Sequence, residues 1–246
     1  MSMEYKRLPF NQYYIEMSND HWDTGKIRIK RNYNHTEFDY KIFGFIKVHC
    51  VADWEVCYDK ERDVIQCFFQ QTNGKADWII NLLFKEKLYD KFTYSYKGKK
   101  RRIQLKAARG WSKMYKVIKH DVKEQVANLL IEHPDANIEI LGWSLGSGLA
   151  QLATQDIDYH FTKKPYVYTT GSVKPWRGFR TRKYLRTTYE ECYNFMHRSD
   201  IVTYMPPFIG YFALRPVKLG KFSIKEIFNP GKWHCEYGEE YLYKGM

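Results

Sequence analysis

The residues from Gly142 to Gly146 spell Gly-Trp-Ser-Leu-Gly, a pattern whose central serine could act as a nucleophile. A serine in a G-x-S-x-G turn joins a strand to a helix and has strained backbone angles, so larger side chains at the two glycine positions would clash. The turn lifts the hydroxyl above the sheet, and the helix N-terminus points at the oxyanion that forms there. The pattern therefore makes Ser144 a candidate nucleophile.

The flanking segments match the elements that such a turn requires. Residues 138–141 form an apolar run of strand length before the motif, and residues 145–157 predict a helix that is rich in small residues. Gly148, Ala150 and Ala153 let that helix pack closely against a sheet. This context favours a nucleophile elbow over an ordinary glycine-serine turn.

A serine hydroxyl needs a base to take its proton, and the base needs an acid to orient it. Three histidines follow Ser144 in the chain: His160, His197 and His234. In hydrolases with this elbow the chain order is serine, acid, histidine. His234 is therefore the preferred base, because it comes last and lies in a glycine-containing segment.

The acid should lie between the serine and the last histidine. Asp200 is preferred because it follows a predicted strand over residues 191–196, and acids at the carboxyl ends of strands are well placed for catalysis. Other carboxylates compete on chain order alone: Asp156, Asp158, Glu190, Glu191 and Glu226.

Hydrophobic patterning elsewhere predicts an α/β protein with a mostly parallel sheet. Strands are predicted over residues 41–50, 64–69, 137–142 and 165–171, a short helix over residues 77–84, and a long amphipathic helix that begins near Trp111 and ends near His133. Alternating residues on both sides of the basic run 97–102 predict a β-hairpin with a basic tip.

Several segments together resemble the fungal-type (class 3) lipase family. Residues 138–150 resemble its strand–GHSLG–helix, and residues 194–207 resemble its N-x-x-D-x-V-x-x-x-P-P block. Further similar segments are residues 69–72 (F-R-G-[ST]), residues 77–81 (D-W-x-x-[ND]), residues 109–111 (within H-x-G-F) and residues 168–172 (T-F-G-x-P). The order and spacing agree from about residue 42 onward, whereas residues 1–40 show no match.

The resemblance implies an α/β-hydrolase fold with a mostly parallel central sheet and helices on both faces. Residues 1–246 are expected to form a single domain, with residues 1–40 as an N-terminal extension. The catalytic triad it implies is Ser144, Asp200 and His234.

The resemblance also implies the groups that stabilise the oxyanion. The donors would be the backbone N–H of Leu145 and the N–H and hydroxyl of Thr72, with Asn81 orienting Thr72. Three positions depart from the family pattern: Trp143 replaces the usual elbow histidine, and Gln70-Gln71 replaces the usual Arg-Gly.

The predicted function is a serine carboxylic-ester hydrolase, a lipase or esterase of lipid metabolism, that works through an acyl-enzyme without a metal or an organic cofactor. Residues 204–214, rich in Met, Pro, Phe and Tyr, are a candidate wall for an acyl chain. Two alternatives stay open. One is a phospholipase or acyltransferase on the same site, and the other is an inactive hydrolase scaffold that binds anionic lipid or nucleic acid.

The chain of 246 residues has a formal net charge of +12, which favours anionic partners. Peripheral contact with an anionic lipid surface is expected. Nucleic acid is not expected, because the aromatic residues do not interleave with the basic ones.

The sequence contains no run of eighteen apolar residues, so no transmembrane segment is predicted. The N-terminus lacks the apolar core of a signal peptide, and a cytoplasmic location is expected. The five cysteines are odd in number and lack a C-x-x-C spacing, which favours reduced thiols over disulfides or a zinc site.

Overall fold

A computed structural model describes residues 33–42, 45–69, 86–96, 99–161, 163–189, 191–225 and His234. The helices are α1 (Arg109–Glu132), α2 (Leu145–Phe161) and α3 (Phe179–Thr188), and a 3-10 helix covers Ile201–Tyr204. The strands are β1 (Asn34–Ile42), β2 (Ile46–Asp59), β3 (Val64–Phe69), β4 (Glu86–Tyr96), β5 (Lys99–Ala108), β6 (Asn137–Trp143), β7 (Tyr166–Thr170), β8 (Trp176–Arg177), β9 (Cys192–His197), β10 (Tyr211–Phe212) and β11 (Pro216–Leu219).

The main sheet has seven strands in the order β1-β2-β3-β6-β7-β9-β11. The strands from β3 to β11 pair in parallel, whereas β1, β2 and β3 pair antiparallel. The predicted mostly parallel sheet is therefore confirmed. Because β3, β6, β7 and β9 run in one direction, their carboxyl ends meet at the same edge of the sheet.

The strand predicted over residues 41–50 is wrong as a single element. Strand β1 ends at Ile42, which pairs with Ile46 at the start of β2, and the exposed Phe45 lies in the turn between them. The antiparallel pairing of β1 with β2 also brings residues 34–40, which lack the family resemblance, into the main sheet.

A second sheet has four antiparallel strands in the order β10-β8-β5-β4. Strands β4 and β5 pair from Glu86↔Ala108 to Tyr96↔Lys99, which confirms the predicted hairpin. Helix α3 lies against this sheet, where the backbone N–H of Lys106 donates to the hydroxyl of Thr181 at 3.2 Å.

The larger core lies between the main sheet and helices α1 and α2. Trp111, Met114 and Ile118 of α1 and Leu149 and Leu152 of α2 are buried in this one cluster. Full burial of each such side chain contributes about 1.5–3 kcal/mol to the free energy of unfolding. The long helix predicted to end near His133 is confirmed, because α1 ends at Glu132 with His133 as its cap.

A smaller apolar cluster covers the opposite face of the main sheet and includes Phe68, Leu141, Trp143, Tyr168 and Phe195. Helices α1 and α2, which contact the main sheet, both pack on the other face. The short helix predicted over residues 77–84 lies outside the described residues.

The thiols of Cys50, Cys67 and Cys192 are buried, and that of Cys57 is half-buried; Cys235 lies outside the described residues. None of the described helices combines the length and the hydropathy that crossing a bilayer requires.

Candidate active site

Ser144 lies in a tight turn between β6 and α2, with a backbone φ of +55°. This left-handed region is unfavourable for a residue with a β-carbon, so the turn stores strain. The Ser144 N–H donates to the Thr170 carbonyl at 3.0 Å, and the Ser147 N–H donates to the Ser144 carbonyl at 3.0 Å. A β-carbon at Gly142 would lie 2.5 Å from the carbonyl oxygen of Gly146, so a larger residue cannot occupy position 142 without opening the turn.

The imidazole of His234 bridges the serine and the predicted acid. Its Nε2 lies 2.7 Å from Ser144 Oγ, and its Nδ1 lies 2.7 Å from Asp200 Oδ2. We assign Nδ1–H as the donor to the carboxylate and Nε2 as the acceptor from the hydroxyl, because these partners fit that tautomer. Ser144 and His234 are each 6% exposed and Asp200 is fully buried. The three predicted catalytic residues thus form one buried, hydrogen-bonded chain.

The carboxylate of Asp200 is oriented by the chain that follows β9. Its Oδ1 accepts from the Val202 N–H at 2.9 Å, which caps the 3-10 helix. Its own N–H donates to the His197 carbonyl at 3.1 Å, and the Thr203 hydroxyl donates to the Asp200 carbonyl at 2.8 Å. One carboxylate oxygen is therefore held by the backbone while the other faces His234.

The competing histidines have other partners. His160, near the end of α2, places Nδ1 2.8 Å from the Asp156 carbonyl and Nε2 3.1 Å from Lys123 Nζ. His197 is buried, and its Nδ1 accepts from the Ser199 N–H at 3.2 Å. Neither arrangement offers an imidazole nitrogen to Ser144.

The competing acids are also engaged elsewhere. Asp156 accepts from the Tyr115 hydroxyl at 3.1 Å, and Asp158 accepts from the Tyr189 hydroxyl at 3.1 Å. Burial raises the pKa of Asp158 above its ordinary value. Glu191 accepts from the hydroxyl of Tyr193, whereas Glu190 and Glu226 lie outside the described residues.

A protein-family model described as lipase (class 3) matches residues 67–209, more than half of the chain. The chain belongs to the class 3 lipase family. The match contains Ser144 and Asp200 but ends before His234, so the assignment of the base depends on the geometry above. No individually curated protein matches the chain.

Solved lipase structures share the α/β-hydrolase fold of this class 3 lipase. The Rhizomucor miehei triacylglyceride lipase aligns with a TM-score of 0.55 and 16% identity, covering 77% of this chain and 67% of that one. A triacylglycerol lipase whose catalytic centre is a serine protease triad gives 0.56 and 17%, with the same coverage. The lipase of Rhizopus microsporus var. chinensis gives 0.53 and 22%, covering 65% of this chain and 54% of that one.

The predicted oxyanion donors are described only in part. Leu145 is the first residue of α2 and is buried, so its N–H belongs to the helical turn that lacks intrahelical acceptors. Strand β3 ends at Phe69 beside Gly142, at the same sheet edge as the elbow. Thr72 and Asn81 lie outside the described residues, and their roles stay predictions.

Two residues that contact His234 were not predicted as parts of the site. The indole N–H of Trp143 donates to the backbone carbonyl of His234 at 3.2 Å, and the two rings lie 6.2 Å apart between centroids. Gly171 has a φ of +54°, and a β-carbon there would lie 2.6 Å from His234 Cε1. Both residues could have been found from the family pattern. Trp143 stands where that pattern has a histidine, and Gly171 is the glycine of its T-F-G-x-P segment.

A buried polar network fixes the segment that carries Gly171. The amide nitrogen of Gln151 donates to the Ser147 carbonyl at 3.2 Å, to Ser172 Oγ at 3.2 Å and to the Val173 carbonyl at 3.1 Å. Its oxygen accepts from the Leu214 N–H at 2.8 Å. A buried amide with these four partners ties α2 to the segment beside the base, which makes it a positioning group.

Proposed function

We propose that this class 3 lipase hydrolyses carboxylic esters of lipids through an acyl-enzyme on Ser144. One observation carries the proposal: two 2.7 Å hydrogen bonds join Ser144, His234 and Asp200 at a strained strand-to-helix turn. A serine, an imidazole and a carboxylate in this order form the machinery of acyl transfer.

The reaction begins when Ser144 Oγ attacks the ester carbonyl while His234 Nε2 takes the hydroxyl proton. Asp200 holds the Nδ1–H tautomer and stabilises the imidazolium that forms. The imidazolium then protonates the leaving alcohol, which departs and leaves an acyl group on Ser144. A water molecule, activated by the same imidazole, attacks the acyl group and releases the fatty acid.

The developing oxyanion is stabilised by two hydrogen-bond donors, one of them the backbone amide at the start of α2. We assign the Leu145 N–H as one donor and Thr72 as the other. In other hydrolases one such donor lowers the barrier by about 3 kcal/mol. Both donors act more strongly on the transition state than on the ground-state ester, because the negative charge develops only during the attack.

A panel of p-nitrophenyl esters from acetate to palmitate tests the function. Wild-type protein should hydrolyse the panel and take up a fluorophosphonate probe on Ser144. Ser144→Ala should lose both. Ser112→Ala is the matched control, because the Ser112 hydroxyl is buried and has no hydrogen-bond partner within the described part of the chain. Equal turnover by the wild-type protein and Ser144→Ala would refute the proposal.

A phospholipase activity of the same site is the second candidate. It is favoured by the clustering of Lys and Arg on β5 and α3, which suits substrates with phosphate headgroups. Comparing phosphatidylcholine, phosphatidylglycerol and triacylglycerol as substrates distinguishes it from a simple lipase. The same charge supports peripheral contact of the protein with an anionic lipid surface.

A further inference from the structure

A surface groove between β5 and α3 is lined by five cationic side chains. Arg101, Arg102 and Lys106 come from β5, and Arg180 and Lys183 come from α3. Among the described residues that line the groove, none is acidic. The groove has a volume of about 1180 Å³, larger than the usual pocket for one small molecule. A single small anion would therefore not fill it.

The positive charge extends beyond the lining of the groove. Strand β5 carries five Lys or Arg residues and α3 carries four, and neither element contains Asp or Glu. The hydrogen bond from the Lys106 N–H to the Thr181 hydroxyl holds these two elements together. A protein surface stays soluble with positive and negative charges mixed together. A region such as β5 and α3, which carries charges of one sign only, therefore indicates an anionic partner.

Exposed apolar side chains border this charge. Phe179, the first residue of α3, is 80% exposed, Phe208 is 56% exposed and Ile209 is 98% exposed. The Gly178 N–H donates to the Gly210 carbonyl at 3.1 Å, which brings the segments that carry these side chains together. Apolar side chains flanked by cations are typical of surfaces that enter the interfacial layer of a membrane.

We propose that this docking surface, made of Arg101, Arg102, Lys106, Phe179, Arg180, Lys183, Phe208 and Ile209, binds the protein to an anionic lipid bilayer. The cations contact headgroup phosphates, and the three apolar side chains enter the interface. This proposal names the residues that make the proposed contact with lipid, and it rests on the proposed function, because that function explains why the protein would bind a bilayer.

The docking surface is connected through the chain to two of the residues around the imidazole. Gly171, which contacts His234, precedes β8 and α3, and Asp200 precedes Phe208 by eight residues. The Lys174 N–H donates to the Met205 carbonyl at 2.9 Å and joins these two segments. Binding at the surface would therefore anchor both segments against the bilayer from which substrate is drawn.

Vesicle cosedimentation of the full chain with Ser144→Ala tests the proposal without turnover. The protein should partition onto vesicles of phosphatidylcholine with phosphatidylserine much more strongly than onto phosphatidylcholine alone. Arg102→Glu with Arg180→Glu, one substitution on each wall of the groove, should weaken partitioning onto anionic vesicles about thirtyfold or more. Phe179→Ser with Ile209→Ser should weaken it about tenfold.

The matched control is Lys60→Glu with Lys164→Glu, which changes the net charge by the same amount. Both lysines are exposed and precede the parallel strands β3 and β7, at the sheet edge opposite the elbow. This variant should bind anionic vesicles nearly as well as the parent. Equal losses in the two charge-reversal variants would overturn the proposal, because net charge alone would then explain binding.

Two further results separate this proposal from others. If single-stranded oligonucleotides bind more tightly than anionic vesicles and Arg102→Glu with Arg180→Glu abolishes that binding, the lipid assignment is refuted. Hydrolysis of a soluble p-nitrophenyl ester should be unchanged in the Arg102→Glu, Arg180→Glu variant of the active protein, with an unchanged thermal midpoint as the folding check. A failed ester panel with intact vesicle binding would refute only the proposed hydrolase activity.

Discussion

Replacing Gly171 by alanine should disable the base without substituting any residue of the triad. Gly171 follows β7 with a φ of +54°, directly beside the imidazole of His234. A β-carbon at this position would lie 2.6 Å from His234 Cε1 and 3.0 Å from Nδ1, and 3.2 Å from Trp143 Cδ1. Ordinary carbon contacts are about 3.5–4.0 Å, so the imidazole must move by roughly 1 Å.

That movement cannot preserve both hydrogen bonds of His234, because each is only 2.7 Å long and they leave opposite sides of the ring. A misplacement of about 1 Å costs roughly a hundredfold in rate. The left-handed backbone of an alanine adds a stability cost of about 1–2 kcal/mol. We therefore expect kcat/KM of Gly171→Ala to fall about a hundredfold, with a modest fall in Tm.

The assay is steady-state hydrolysis of p-nitrophenyl butyrate, with Gly178→Ala as the matched control. Gly178 has a φ of +92°, and a β-carbon there would meet nothing within 4 Å. Its backbone conformation is at least as unfavourable for alanine, so it should lose a similar amount of stability but keep its activity. A Gly171→Ala enzyme with nearly normal kcat/KM, or a Gly178→Ala enzyme equally impaired, would refute the argument from imidazole displacement.

Three further substitutions test individual contacts. Asp200→Asn should lower kcat by about 10⁴ in steady-state kinetics, because an amide cannot hold the required tautomer of His234, and near-normal turnover would contradict this. Trp143→Phe removes the indole N–H that donates to the His234 carbonyl, at a cost of about 1–3 kcal/mol. We therefore expect kcat to fall about tenfold or more. An unchanged kcat would show that this hydrogen bond does not contribute to catalysis. Burial raises the pKa of Cys192 to about 12, so this thiol should not react rapidly in the native protein. A titration of reactive thiols should therefore give the same number of rapidly reacting groups for Cys192→Ser as for the wild-type protein. A loss of one rapidly reacting thiol would contradict its burial.

The parts of the molecule that local sequence specifies were predictable. The elbow needs glycines at fixed offsets, and α1 displays its apolar stripe at helical spacing, so both could be recognised without tertiary information. Asp200 and His234 were selected from their chain order and the family pattern. The structure brings His234 into contact with Ser144 and Asp200 into contact with His234, although they lie 90 and 56 residues from Ser144 along the chain.

The sequence does not predict the elements that depend on tertiary contacts for their stability. Among the side chains of α3 whose burial the structure describes, only Thr181 and Leu185 are buried, which is too few to produce a helical period in the sequence. The helix is stabilised by its contact with the second sheet. In residues 41–50, composition alone cannot distinguish one strand from two strands joined at Phe45. Strand β1 differs from these elements, because exposed residues alternate with Thr36, Phe38 and Tyr40 and give it the period of a strand in the sequence itself.

The order of strands in the main sheet explains why the residue after β7 must lack a side chain. The nucleophile follows β6 and the acid follows β9, and β7 lies between these two strands. Neighbouring strands are about 4.8 Å apart, so strands on either side of a third are about 10 Å apart, too far for direct contact between serine and aspartate. An imidazole with a hydrogen bond at each nitrogen spans this gap, but only if it stands over the end of β7. Gly171 occupies that place, and any β-carbon there would share the space of the imidazole.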